Sequence, residues 1–136
     1  MLLLLSCNTQ PQPLVIGKDE CSYCKMPYAD AKFGAEIITV KGKVYKFDDV
    51  SCMNNFTKAE LRKDEIIKSM LIVNYSSNQT FLNTAETVFL ISPQLHTPMN
   101  SGIAGFESKE KANSLLVNFP GEILSWHQLQ QKLNGN

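Results

Sequence analysis

Hydrophobic positions between residues 35 and 75 change period along the chain. Residues 35–40 (A-E-I-I-T-V) and 43–47 (K-V-Y-K-F) are β-branched and aromatic, which predicts two strands. Lys41-Gly42 between them predicts a tight hairpin turn. Asp48 and Asp49 then offer an N-cap. Over 50–62 apolar residues recur at helical spacing, at Val50, Met53, Phe56 and Leu61, with basic residues towards the end; this predicts a helix. Residues 69–75 (S-M-L-I-V-N-Y) are an apolar run of strand length.

The second half repeats this order. Residues 87–91 predict a strand, 102–107 a glycine-relaxed strand, 108–118 a helix capped by Glu107 or Ser108, 121–126 a strand and 127–133 a short terminal helix. Phe47-Asp48 and Phe106-Glu107 occupy the same strand-to-helix junction of each half. The expected class is therefore α+β: two ββαβ-type halves, about 19–76 and 80–136, forming one compact domain with an antiparallel sheet, plus a short C-terminal helix. The longest irregular stretch, 92–101, contains two prolines together with His96 and Met99, and long loops in compact domains are often functional.

Composition narrows the function classes. The chain has 136 residues, 43% of them apolar, with 13 basic and 13 acidic side chains. No basic run interleaved with aromatics occurs, so nucleic acid is set aside as a partner. No apolar run approaches the ~20 residues of a membrane-spanning helix.

Residues 1–7 (M-L-L-L-L-S-C), followed by a polar, proline-containing stretch, resemble the end of a bacterial lipoprotein signal, truncated at its front. That resemblance implies a lipidated Cys7 and a periplasmic, membrane-anchored location. Residues 8–18, with Pro11, Pro13, Gly17 and little periodicity, read as a flexible linker, which leaves 19–136 as the domain, metal-binding by the sulfur segment at its start. A basic n-region is missing, and four leucines are fewer than the ~7–15 of a full apolar region. A start codon further upstream would explain this; otherwise 1–5 is a short core segment and Cys7 a plain cysteine. With Cys7 lipidated, Cys21, Cys24 and Cys52 remain, an odd number that favours a free working thiol over a disulfide framework.

The chemistry concentrates in residues 19–28, D-E-C-S-Y-C-K-M-P-Y, which carry three sulfur side chains. In an extended backbone Cys24 and Met26 would point to one face, and Pro27 disfavours a helical Met26. Thiolate and thioether together select copper(I), whereas structural zinc takes cysteine, histidine and carboxylate. Met26 could equally be a gap-filling core residue.

Cys21-x-x-Cys24 also suits thiol redox, a disulfide or half of a zinc site, although no βαβ pattern surrounds it. A zinc site would recruit Cys52 and His96. Cys52 and Met53, however, differ by ~100° in direction on a helix; the expectation is that Met53 lies on the Val50 face and Cys52 is a buried, inert cysteine towards Phe56 and Ala59. His127 reads as a surface or capping residue.

D-x-C-x-Y-C-x-M at 19–26, F-D-D-x-x-C-M at 47–53 and T-P-M-x-S-G-I-A-x-F at 97–106 together resemble the NosL family, lipoprotein copper chaperones for nitrous oxide reductase. The resemblance spans about residues 7–126. It implies two ββαβ halves, related to organomercurial lyase, and a protein that is not an enzyme. It further implies that Cys24 and Met26 hold copper(I), that Met99 is the third donor with His96 as the alternative, and that Cys21 is auxiliary. Where the family often has glycine between the cysteine and the methionine, this chain has Lys25. The implied partners are a recipient copper enzyme, nitrous oxide reductase above all, and its maturation machinery, with copper passed by ligand exchange. Family members outside denitrification operons leave the recipient open, and the sequence does not choose between monomer and homodimer. The rival functions are a periplasmic thiol-disulfide oxidoreductase and a lipoprotein binding module stapled by zinc or a disulfide.

Overall fold

The computed structural model describes residues 9–78 and 80–135. Cys7 and the rest of the 1–7 segment read as a lipoprotein signal lie outside the described residues. The first half runs β1 (Ala35–Thr39), β2 (Val44–Phe47), α1 (Val50–Ala59), β3 (Ile67–Val73) and β4 (Phe81–Asn83). The second runs β5 (Val88–Ile91), β6 (Ile103–Phe106), α2 (Lys109–Ser114), β7 (Glu122–Leu124) and α3 (Trp126–Leu133).

Strand order is β2-β1-β3-β4 in one sheet and β6-β5-β7 in the other, and all of these pairs are antiparallel. In each half the first strand lies between its hairpin partner and the strand that follows the helix, so the repeat inferred from the sequence is a repeat of topology. The expected antiparallel pairing forms two sheets, one in each half. They meet at a bridge between Asn74 and Gly105, where the Tyr75 N–H donates to the Gly105 carbonyl at 2.9 Å. The approach is close: a Cβ on Gly105 would lie 3.0 Å from Thr87 Cγ2 and 3.1 Å from Ile72 Cγ2. One hydrophobic core nevertheless serves both halves, joining Ile37, Phe47, Met53 and Ile72 to Phe89, Ile103 and Leu129.

The junctions correspond closely. Phe47 and Phe106 are both buried at strand ends, and two residues later Asp49 and Ser108 are the N-caps, accepting from the N–H groups of Ser51 and Lys111. The hairpin loop begins one residue earlier than Lys41-Gly42. Thr39 C=O accepts from Gly42 N–H and Lys43 C=O from Thr39 N–H, with Gly42 at φ 90°, the left-handed third position of a three-residue hairpin loop. Helix α2 stops at Ser114, short of residue 118, and hydrogen-bonded turns follow. Strand β4 falls where the sequence suggests no element; at three residues it carries too little pattern and is defined by its pairing with β3.

The stretch expected to be flexible linker is, from Thr9 onward, a strap packed across the outer face of the first sheet. Leu14 is buried against Tyr28, Val73 and Phe81. Gln12 N–H donates to Glu36 Oε2 at 3.1 Å, and Lys46 Nζ reaches Pro13 O at 3.0 Å and Asp19 Oδ2 at 3.1 Å. Gly34, at φ 129°, makes room for it, since an added Cβ there would stand 2.5 Å from Leu14 Cδ1. With the strap above and the core below, all five β1 residues are buried, Glu36 included. Among the described residues no helix is long and apolar enough to cross a membrane.

Candidate metal centre

The 19–28 segment is a closed loop. Lys25 N–H donates to Cys21 C=O at 3.0 Å, Cys21 N–H to Met26 C=O at 2.9 Å and Tyr28 N–H to Asp19 C=O at 2.9 Å, with a bridge between Glu20 and Pro27. It is anchored on the edge of β2, where Ser22 N–H donates to Lys46 C=O at 2.7 Å and Lys46 N–H to Ser22 Oγ at 3.2 Å. The extended Cys24-x-Met26 geometry is not adopted: Lys25 has φ 65°, a left-handed conformation that glycine takes without steric cost. Two i→i+4-type and i→i+5-type closures within six residues force the chain to reverse there. Met26 is 55% exposed, so it is not a core gap-filler.

The loop brings its thiols against the start of α1. The Sγ atoms of Cys21, Cys24 and Cys52 and a carboxylate oxygen of Asp48 all lie within 4.8 Å of one another. Cys21, Cys52 and Asp48 are at most 2% exposed, and Cys24 is half-buried. Cys24 Sγ stands 3.5 and 3.6 Å from the two Asp48 oxygens, and Cys24 N–H donates to Cys21 Sγ at 3.5 Å. All three thiols are free.

This corrects the sequence reading of Cys52. It is buried as expected, and Met53 does face the core, but the Cys52 side of the helix's first turn meets the cysteine loop instead of an apolar wall. Asp48, read only as a capping candidate, was missed as a member of the cluster; the F-D-D-x-x-C motif, which carries Asp48 and Cys52 together, was the signal.

The electrostatics divide the thiols. A hydrogen bond from the Cys52 thiol is the main cause that lowers Cys21 to about 6, helped by N–H groups of Cys24, Asp48 and Tyr23. Cys52 is correspondingly pushed up, first by that bond and then by burial. Burial is the main cause that raises Cys24 to about 11, with neighbouring Cys21 and Asp48 adding to it. Of the inner pair Cys21 is thus the more acidic thiol and Cys52 the donor, while burial disfavours ionisation of Cys24 beside Asp48.

Asp49 ties in the second half. Its carboxylate caps α1 through Ser51 and also accepts from Met99 N–H at 3.1 Å and from Ser101 Oγ at 2.7 Å. The 92–101 loop is thereby fixed to the residue adjoining Asp48, and Met99 on it is 42% exposed. His96 is exposed on the same loop and lines a groove of about 560 Å³ with Glu122 and Lys132, whose walls include none of the thiols. His127 is exposed near the start of α3, where the cap is Ser125.

The Cys21–Cys24 segment is a turn and not a helix start, unlike the arrangement thioredoxin-type chemistry requires. Three thiols and one carboxylate in a largely buried cluster are a donor set for a soft metal ion.

The sequence model of the NosL family matches residues 14–134. No curated protein matches the chain. Among solved structures, the crystal structure of the copper chaperone NosL from Shewanella denitrificans superposes with a TM-score of 0.69 at 19% identity, over 92% of this chain and 98% of that one. At that identity the likeness concerns the fold.

Proposed function

Because the chain belongs to the NosL family, we propose that it is a copper(I) chaperone of the bacterial cell envelope, handing its ion to a recipient copper enzyme such as nitrous oxide reductase. The observation that carries the reading is the convergence of the cysteine thiols beside Asp48. Soft sulfur donors select copper(I) over harder divalent ions. Cys24, Met26, Met99 and Cys21 are the proposed donors. Cys24 is central, because it belongs to the cluster and is partly accessible, while the exposed thioethers of Met26 and Met99 offer weaker ligation where a partner can reach.

Transfer is ligand exchange. A thiol gives up its proton to solvent as copper(I) binds; a donor on the recipient enters as one of this chain's donors leaves, and no oxidation occurs. Anchoring by a lipid on Cys7 would hold the domain at the membrane surface, facing its recipient and the maturation machinery.

An anaerobic titration with copper(I) against a chromophoric chelator tests this. The wild type is expected to withhold one equivalent, and Cys24→Ala to lose it. Equal copper retention by wild type and Cys24→Ala overturns the reading. An insulin-reduction activity requiring both Cys21 and Cys24 would put the oxidoreductase in its place.

A further inference from the structure

We infer that copper(I) occupies two seats in turn, a buried one formed by Cys21, Cys24 and Cys52 and an exposed one formed by Cys24 with Met26 and Met99, Cys24 being shared. The inference rests on the copper reading above and adds to it Cys52 and a direction of travel.

The inner seat is built on distance. An ion bonded to two sulfurs at ~2.3 Å holds them no more than ~4.6 Å apart, and the three thiols already lie within 4.8 Å of one another. Little has to move. The inner sulfurs are almost inaccessible, with Cys21 at 1% and Cys52 at 2% exposure, so an ion there is shielded from water and oxidants.

Core packing alone does not account for the cluster. Gathering Asp48, itself 2% exposed, with three thiols buries polar groups where aliphatic side chains would pack at no desolvation cost. The Asp48 carboxylate has the Cys24 thiol as a partner, at 3.5 and 3.6 Å; a cation among the thiolates would add a stronger one of opposite charge. Cys52 also lies in the first turn of the ten-residue α1, where the helix N-terminus favours the negative charge of a thiolate.

The outer seat has opposite properties. Met26 and Met99 are 55% and 42% exposed, and each is set by a loop fixed close to Asp48: Met26 two residues from Cys24, Met99 through its N–H on Asp49. Cys24 alone among the thiols is half-buried and not sealed in. An ion leaving the inner pair can remain on Cys24 while thioethers replace Cys21 and Cys52. The exchange conserves charge apart from the protons that Cys21 and Cys52 take back from solvent.

The test uses the folded domain with copper(I) and bathocuproine disulfonate as competing chelator, read at equilibrium and by stopped flow. Cys52→Ser is expected to weaken copper(I) retention at least tenfold. The double variant Met26→Ala/Met99→Ala, which removes the thioethers of the outer seat, is expected to lose less affinity than Cys52→Ser and to release copper(I) at least tenfold more slowly than wild type. Wild-type affinity in Cys52→Ser, or loss of affinity in the double variant as large as in Cys24→Ala, overturns the two-seat scheme while leaving a single copper site standing. A wild type that withholds no copper would instead remove the chaperone reading itself.

Should Cys52→Ser not fold, cadmium(II) loaded into the wild type decides. Thiolate charge-transfer absorbance of three cysteines, unchanged in the methionine double variant, supports the inner seat; absorbance of one or two overturns it.

Discussion

Asp49 holds Met99: a carboxylate that caps helix α1 in the first half accepts the backbone N–H of a loop residue fifty positions later, at 3.1 Å. The same carboxylate takes the Ser101 hydroxyl and the Ser51 N–H, so one side chain sets both the start of α1 and the position of the methionine loop. Asp48 and Asp49 divide the labour, one facing the thiols and the other the second half of the molecule.

Asp49→Ala therefore removes a helix cap, worth ~1 kcal/mol, and leaves the Met99 and Ser101 donors without their acceptor. We expect a destabilisation of about 2–4 kcal/mol in chemical denaturation, with hydrogen exchange of the Met99 amide accelerated well beyond that of the core strands. Asp49→Asn, which keeps an acceptor, should recover most of the cap. Unchanged Met99 exchange in Asp49→Ala would show that the loop is held by something else.

Lys25 sits at φ 65°, where an L-residue is disfavoured by roughly 1–2 kcal/mol. Lys25→Gly relieves that strain but adds unfolded-chain entropy of roughly 0.5–1 kcal/mol, and it gives up an exposed bond from Lys25 Nζ to Ser22 O. The net change should stay within about 1 kcal/mol. Lys25→Val places a β-branched residue where it is a genuine outlier and should be the less stable of the two by at least ~1 kcal/mol. A thermal melt of both variants decides the matter; equal melting temperatures would contradict the left-handed conformation.

Glu36 gives the domain a pH-dependent stability. It is fully buried beneath the strap, with Oε2 accepting from Gln12 N–H and Oε1 lacking a partner. Burial raises it from 4.5 to about 7; the Gln12 N–H and the charge of Lys46 pull the other way, and Asp19 reinforces the rise. Below pH 4.5 both folded and unfolded chains carry the proton. Between 4.5 and 7 the unfolded chain loses it and the folded chain keeps it, so stability falls as pH rises through that window, by about 3 kcal/mol in all. Glu36→Gln should flatten the difference and be the more stable protein at pH 8. Parallel urea midpoints for wild type and Glu36→Gln across this range would refute the assignment.

Gly105 is where the halves touch. Gly105→Ala would bring a methyl within 3.0 Å of Thr87 Cγ2 and 3.1–3.2 Å of Ile72, an overpacking that costs about 1–3 kcal/mol. Thr87→Ser, which removes that γ-methyl, should recover part of the loss in the double variant. Strict additivity of the two substitutions would argue against the contact.

The two ββαβ units were legible because their elements are announced locally: short β-branched and aromatic runs for β1 and β5, Asp49 and Ser108 as caps, Phe47 and Phe106 ending matched strands. The strap was not legible, because Pro11 and Pro13 read as linker signals and nothing local records that Leu14 finds a cleft between Tyr28 and Val73. Strand β4 owes its existence to β3.

At the candidate metal centre the sequence by itself determined which sulfur side chains are on offer: Cys21, Cys24 and Met26 in one short segment, Met99 in a loop with two prolines, and motifs shared with one family. Only the tertiary structure decided which atoms meet. The reversal at Lys25 cancels the extended geometry that would have aligned Cys24 with Met26, and docking of the loop on β2 turns Cys21 and Cys24 towards Cys52 and Asp48. Periodicity specifies which face of α1 a residue occupies, but what lies opposite that face is set by chain segments about thirty residues distant. No local pattern encodes that distance, so Cys52 looked like a core residue until the fold put two thiols beside it.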